Sequence, residues 1–286
     1  VEIIDAIKKR AEHGIFGYTF SPDRLGESIV RWMKKRHNWD IKEEWILHTP
    51  GVVTSVKNAI LALTEKGDGV LLQTPVYYPF FASITGNGRK LITNPLIYNN
   101  GYYEIDFDDL ETKFSGGVKM MILCSPHNPG GRVWRRYELE KIAELAEKHK
   151  VIILSDEIHS DLVFKDYKHI PVASLSKETE RNTLTCISPT KTFNIASLSH
   201  SSVIIPNPEF REKFEKTGRN TGADMLNIFG QIAAEAAYTY GEEWLDELME
   251  YLGGNLETLN TYFKDNIPSI RVGKLEATYL AWLDCR

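Results

Sequence analysis

Cysteine is scarce in this chain: Cys124, Cys186 and Cys285 are odd in number and far apart. They support neither a disulfide framework nor a zinc site and suit a reducing cytosol, so a cytoplasmic location is expected. The net charge is −5 and no basic block interrupts it, which argues against nucleic acid as a partner. No apolar run approaches membrane-spanning length and no signal peptide opens the sequence, so no membrane partner is expected. Internal repeats and low-complexity tracts are also missing. What is left is a globular composition, 42% hydrophobic and 26% charged, over 286 residues, enough for one large domain or two smaller ones. The chain starts at Val1 rather than Met and stops at Arg286, directly after the strand-like Tyr279–Leu283. Both ends are expected to be cut short relative to a natural gene product.

Hydrophobic periodicity then gives an order of elements. Residues 2–13 read as an amphipathic helix, broken by Gly14-Ile15-Phe16-Gly17-Tyr18-Thr19. A second helix spans 22–36, with Ser21 as N-cap and Leu25, Ile29 and Trp32 at helical spacing. A short strand at 45–47 leads to a helix over 55–65, closed by Gly67. Strands at 70–72, 90–93, 119–124, 151–154, 184–187 and 202–205 then alternate with helices at 78–85 and 136–150, while 95–117 reads as loop with an acidic helical turn. Helices follow at 208–217, 224–239 and 242–264, and 269–286 reads as strands of a second domain. Such alternation predicts an α/β domain on a largely parallel sheet, with its binding site at the carboxyl ends of the strands.

Four stretches place polar residues at strand ends, where a core would not want them. Gly51-Val52-Val53-Thr54 opens a helix whose free N–H groups could bind an anion; it could equally be a plain turn capped by Thr54. Cys124-Ser125-Pro126-His127-Asn128-Pro129-Gly130-Gly131 holds Asn128 in a frame of prolines and glycines, or uses it as a turn former. Asp156 ends a wholly apolar strand, where a carboxylate is costly unless it caps a helix or meets a cation such as a protonated ring nitrogen or a metal. A metal at Asp156, Glu157 and His159 is disfavoured, because no second histidine lies at a ligand spacing. Lys191, in Ser188-Pro189-Thr190-Lys191-Thr192-Phe193-Asn194, follows the apolar run 184–187 and sits among hydroxyls. A surface lysine is the ordinary reading; an amine that forms a Schiff base is the other. The chemistry that wants all four is pyridoxal 5'-phosphate binding: an anion cradle, a donor to the ring oxygen, a carboxylate for the ring nitrogen and an amine for the aldehyde. Tyr77 supplies an aromatic face after another strand.

These motifs, with Pro75-Val76-Tyr77, Asp156-Glu157-Ile158-His159 and the stretch 276–286, resemble the fold-type I aminotransferase superfamily over nearly the whole chain. The resemblance is stronger to the branch of cystathionine β-lyases and cysteine-S-conjugate β-lyases. It implies a mostly parallel mixed sheet in a large domain with helices on both faces, plus a truncated small α+β domain. The expected division is 1–20 as N-terminal segment and dimer arm, 21–240 as cofactor domain, and 241–286 as linker helix and start of the small domain. By resemblance, Lys191 would hold the cofactor and move the Cα proton of an amino-acid substrate. Asp156 would pair with the ring nitrogen, Asn128 with the ring oxygen near His159, and Tyr77 would stack on the ring. The Val52 and Val53 amides, Ser188 and Thr190 would hold the phosphate. Tyr18 would reach the phosphate of the neighbouring subunit in a homodimer, and Arg286 would bind the substrate carboxylate. Many aminotransferases carry an arginine eight residues after the lysine; Ser199 stands here, which favours carbon–sulfur β-elimination over transamination.

Overall fold

The computed structural model describes residues 1–18 and 21–286; Thr19, the last residue of the predicted helix break, lies outside them. In chain order the elements are α1 (Glu2–Glu12), α2 (Asp23–His37), β1 (Ile46–Thr49), α3 (Val52–Leu63), β2 (Gly69–Thr74), α4 (Pro79–Thr85) and β3 (Lys90–Pro95). Next come β4 (Ile97–Asn99), β5 (Tyr102–Glu104), α5 (Phe107–Ser115), β6 (Val118–Cys124), α6 (Arg136–His149), β7 (Ile152–Asp156), α7 (Lys177–Asn182) and β8 (Thr183–Ile187). The chain continues through α8 (Pro189–Thr192), β9 (Ser201–Ile204), α9 (Pro208–Thr221), α10 (Ile228–Tyr240), α11 (Glu242–Asn266), β10 (Arg271–Val272) and β11 (Leu283–Asp284).

Seven strands form the main sheet in the order β1-β9-β8-β7-β6-β2-β3. Strands β3, β2, β6, β7 and β8 pair in parallel, and β9 runs antiparallel to both β8 and β1. The sheet is therefore mixed but mostly parallel, as the alternation predicts. Its central strands read as continuous apolar runs because both faces are covered. Val70, Leu72, Met120, Ile122 and Leu154 pack under α3, α4 and α9. The alternate residues Leu71, Met121, Leu123 and Ile153 pack under α5 and α6. A third cluster joins α2 and α10 to Ile187 and Ile204. Among the described residues no helix is long and apolar enough to cross a membrane.

Four expectations need correction. The loop read over 95–117 is a β4–β5 hairpin followed by α5; Asn100 and Gly101, both at positive φ, make its turn. The first residue outside α2 is Pro22, not Ser21. Helix α3 starts at Val52 rather than Ser55, so its N-cap is Gly51 and Thr54 lies inside the first turn. In the last stretch only Arg271–Val272 and Leu283–Asp284 pair as strands; Tyr279 and Leu280 lie in irregular chain.

Candidate active site

Five connections leave the carboxyl ends of β1, β2, β6, β7 and β8 on one edge of the sheet and wall a cavity of about 370 Å³. Eight predicted residues line it: Val52, Val53, Tyr77, Asn128, Asp156, His159, Thr190 and Lys191. Three do not. Ser188 is buried beneath the cavity as the N-cap of α8: its hydroxyl accepts the Thr190 N–H at 3.1 Å and donates to the His200 carbonyl at 2.7 Å. It lies 2.6 Å from the Thr190 hydroxyl, so it orients the threonine that reaches the cavity. Tyr18 is fully exposed on the connection after α1. Arg286 is exposed beside β11, forked onto Asp284 with two contacts of 2.9 Å and lying over the Tyr98 ring.

The anion cradle follows from the way α3 begins. Gly51 has φ +146°, a conformation L side chains rarely adopt, and a Cβ there would meet no protein atom within 4 Å. The intrahelical ladder begins only with the Ser55 N–H bonded to the Gly51 carbonyl at 3.0 Å. That leaves the Val52, Val53 and Thr54 amides at the cavity without a helical acceptor. Below them Thr49, Ser55 and Ser201 bond hydroxyl to hydroxyl at 2.6–3.0 Å and fix the turn from beneath.

The loop after β6 is tied to the loop after β2. A carbonyl can only accept, so the His127 Nε2 proton must point at the Pro75 carbonyl, 2.7 Å away. Burial pushes the His127 ring down to about 4, which keeps it neutral. Trp134 donates from its indole to the Cys124 carbonyl at 2.9 Å and closes the other side of the loop. Asn128 and Tyr77 are thereby set on opposite sides of one junction, with Phe80 edge-on to Tyr77 at 5.5 Å.

Asp156 gives the clearest test of whether pyridoxal phosphate fits. Its carboxylate is buried, and its only hydrogen bond among the described residues is the Ile158 N–H at 3.2 Å. Burial pushes it up to about 7, Glu157 adds to the rise, and the Ile158 N–H and Lys191 oppose it. A carboxylate so placed has no ion-pair partner bonded to it, and a protonated ring nitrogen supplies one. No salt bridge or side-chain hydrogen bond holds the Lys191 ammonium among the described residues; its charge is felt by Asp156 and His159. Burial, then Lys191, pushes His159 down to about 4, and its Nδ1 has no partner. The open cradle, the uncompensated acid and the unheld amine fit the phosphate, ring and aldehyde ends of the cofactor.

The acid carries a measurable cost. Its carboxyl titrates at 3.8 when free and near 7 when folded, so the folded state keeps the proton between those values. That contribution to stability is fully present below pH 3.8 and is lost as pH rises through 7. Cofactor-free Asp156→Asn is expected to be more stable than cofactor-free wild type at pH 8, by on the order of 3 kcal/mol, with the gap closing towards pH 4. Urea denaturation at pH 5 and pH 8 reads this difference, and equal midpoints at pH 8 would refute it.

Sequence reasoning missed Cys124, Ile158, Ala196, Tyr279 and Leu280 in the cavity wall. Tyr279 stands edge-on to His159 at 5.7 Å. It arrives there because the Thr278 N–H bonds to the Leu162 carbonyl at 2.7 Å, a contact between distant stretches with no local pattern to announce it.

Comparison with known proteins identifies the family. Residues 2–286 match the family described as aminotransferase class I and II. The chain is 45% identical to the cystathionine beta-lyase PatB of Bacillus subtilis (strain 168), over 99% of this chain and 73% of that protein. It is 34% identical to Protein MalY of Escherichia coli (strain K12), over 99% of this chain and 73% of that one. Its fold is similar to that of cystalysin from Treponema denticola, which contains a pyridoxal 5'-phosphate cofactor: TM-score 0.96, 40% identity, 99% of this chain and 72% of the other. Every segment of the cavity wall falls within the matched residues, and the chain belongs to the pyridoxal-phosphate-dependent aminotransferase class I and II family.

Proposed function

We propose that this protein is a carbon–sulfur β-lyase that converts cystathionine or a related cysteine S-conjugate, with uptake of one water after the thiol has left, to a thiol, pyruvate and ammonia. The observation that carries the reading is one cavity shared by the uncompensated acid Asp156 and the unheld amine of Lys191. The identity to a cystathionine beta-lyase over nearly the whole chain gives it its substrate class.

Bound pyridoxal phosphate supplies an electron sink for the charge left when a Cα proton departs. Asp156 holds a ring-nitrogen proton in place. The amides of Val52 and Val53 and the Thr190 hydroxyl would hold the phosphate, and Tyr77 and Asn128 would hold the ring. Lys191 takes the Cα proton of the substrate at Nζ once that amine is free. His159, neutral in its buried setting, keeps its lone Nδ1 for a hydrogen bond in the same cavity. Arg286 binds the substrate carboxylate by exchanging it for Asp284. Asp284, whose side chain is 18% exposed, also accepts the Tyr98 hydroxyl at 2.8 Å and keeps that partner when the arginine leaves. Tyr279 and Leu280 form one wall of the cavity and narrow the access of water to the Cα position.

Transamination is the second reading, favoured by the matched family itself. It is opposed by position 199: Ser199 ends a short 3-10 turn at φ +52° and does not line the cavity, so no arginine reaches the cradle from there. Incubation with cystathionine is expected to release pyruvate at the rate of thiol release. Amino transfer to a keto acid with no pyruvate would replace the lyase reading by the second one.

Tyr18, Ile15 and Phe16 are 100%, 67% and 56% exposed, an apolar edge suited to a second copy of the chain. The working protein is proposed to be a homodimer, and light scattering should read twice the mass of the chain. In the proposed division, residues 1–20 form the arm, 21–240 the cofactor domain and 241–286 the linker helix and start of a smaller domain. Leu245 is the one fully buried residue of the long α11, which supports a helix leaving the main body.

A further inference from the structure

Lys191 sits on a single helical turn, too short to hold its own shape. The turn is anchored by side chains on both flanks. Before the lysine, Ser188 caps the turn and grips the His200 carbonyl. After it, the Thr192 hydroxyl donates to Asp161 Oδ2 at 2.9 Å. Asp161 Oδ1 in turn accepts the Trp32 indole N–H and His37 Nε2, each at 2.9 Å. The three donors come from α8 and from two points of α2, and all are buried. Phe193, the next residue, packs edge-on against the Trp32 ring at 5.9 Å.

This carboxylate lies apart from the cavity. Among the described residues it bonds to neither Lys191 nor Asp156, and it does not line the wall. Burial alone would favour its protonated form, but hydrogen bonds from His37, Trp32 and Thr192 and the charge of His37 bring the net shift below the ordinary range. Asp161 is thus a fixed negative charge whose one contact with the cofactor turn is Thr192. A buried carboxylate with three donors holds each of them more firmly than a neutral acceptor could.

We propose that Asp161 and Thr192 are positioning residues for Lys191: they fix the rotation of its turn, and through it the place of Nζ, from helix α2. The inference rests on the reading of Lys191 as the cofactor-holding lysine. Thr192→Val keeps the shape and removes only the hydroxyl. Cofactor-free protein is titrated with pyridoxal phosphate, the absorption of the lysine-bound form is followed, and kcat and KM are then measured on the holoenzyme. Thr192→Val is expected to weaken cofactor affinity about tenfold and to lower kcat about tenfold with KM within about twofold, the scale of one lost buried charged hydrogen bond. Thr192→Ser restores both. Trp32→Phe, which removes one donor to Asp161 and keeps an aromatic ring against Phe193, gives a smaller loss of the same pattern and serves if Thr192→Val does not fold. A lower unfolding midpoint with cofactor affinity and kcat at wild-type values in these variants overturns the proposal and leaves a purely structural role. Wild-type protein with no absorption that depends on Lys191 overturns the cofactor reading itself.

Discussion

Lys191→Ala loses at least about 10⁴-fold in kcat, because one substitution removes both the covalent attachment and the proton-transfer amine. The loss is chemical and not structural. The side chain is partly exposed to the cavity and no other described side chain bonds to its amine. Its removal is expected to cost less than about 1 kcal/mol of stability, the ordinary range for a substitution without a buried partner. Lys191→Arg separates charge from chemistry. It keeps a cation near Asp156, yet a guanidinium stays protonated and does not condense with an aldehyde, so it does not rescue turnover. The absorption of the lysine-bound cofactor disappears in both variants. Retention of turnover within tenfold in Lys191→Ala would remove Lys191 from the mechanism.

The largest stability effect is expected away from the cavity, at Arg132. Its side chain is about 1% exposed and bridges two carboxylates. Nη2 meets Glu138 at 2.8 and 3.0 Å, and Nε meets Glu276 at 3.2 Å. The Tyr102 and Trp134 rings lie 4.0 and 4.6 Å from the guanidinium, and Nη1 donates to the Tyr103 carbonyl. Arg132→Met leaves Glu138 and Glu276 buried without their shared cation and is expected to cost about 3–5 kcal/mol. Adding Glu138→Gln and Glu276→Gln recovers much of that loss, because the penalty belongs to the stranded charges. Urea unfolding with an unchanged m-value reads both results, and a single-variant loss below about 1 kcal/mol contradicts the account. Activity falls as well. Glu276 and Ala277 donate their N–H groups to the Gly131 carbonyl, so this junction holds the stretch that carries Tyr279 and Leu280 to the cavity.

What the sequence revealed and what it hid differ in range. Asp156 and Lys191 stand out because each follows an apolar run and therefore sits at a buried strand end, where an ionised group needs a reason. Asn128 is legible through its prolines and glycines, and Val52 and Val53 through the glycine before them. The β4–β5 hairpin was missed: Asn100-Gly101 is a turn signal, but each flanking strand is only three residues long, too short for an alternating pattern to show. Arg132, Asp161 and Tyr279 were not legible either. Their partners lie far away in sequence, as with Arg132 and Glu276 or Asp161 and Trp32, and no periodicity records such a pairing. Ser188 shows a subtler limit. Its residue type suits a phosphate ligand and a helix cap alike, and only the geometry puts its hydroxyl on the cap.

The cradle of α3 hangs on β1, an edge strand whose sole neighbour in the sheet is β9. Ile46 faces Ile204, so the ribosome must finish about 160 further residues before the strand can dock. Until then the Gly51 turn has no Ser201 beneath it, while β2, β6, β7 and β8 can already pair. Lys191 is synthesised before the phosphate cradle is anchored, although the cradle's own residues come first off the ribosome. The two ends of the cavity wall thus mature in the reverse of their sequence order, and a nascent chain has no complete cavity until β9 has emerged.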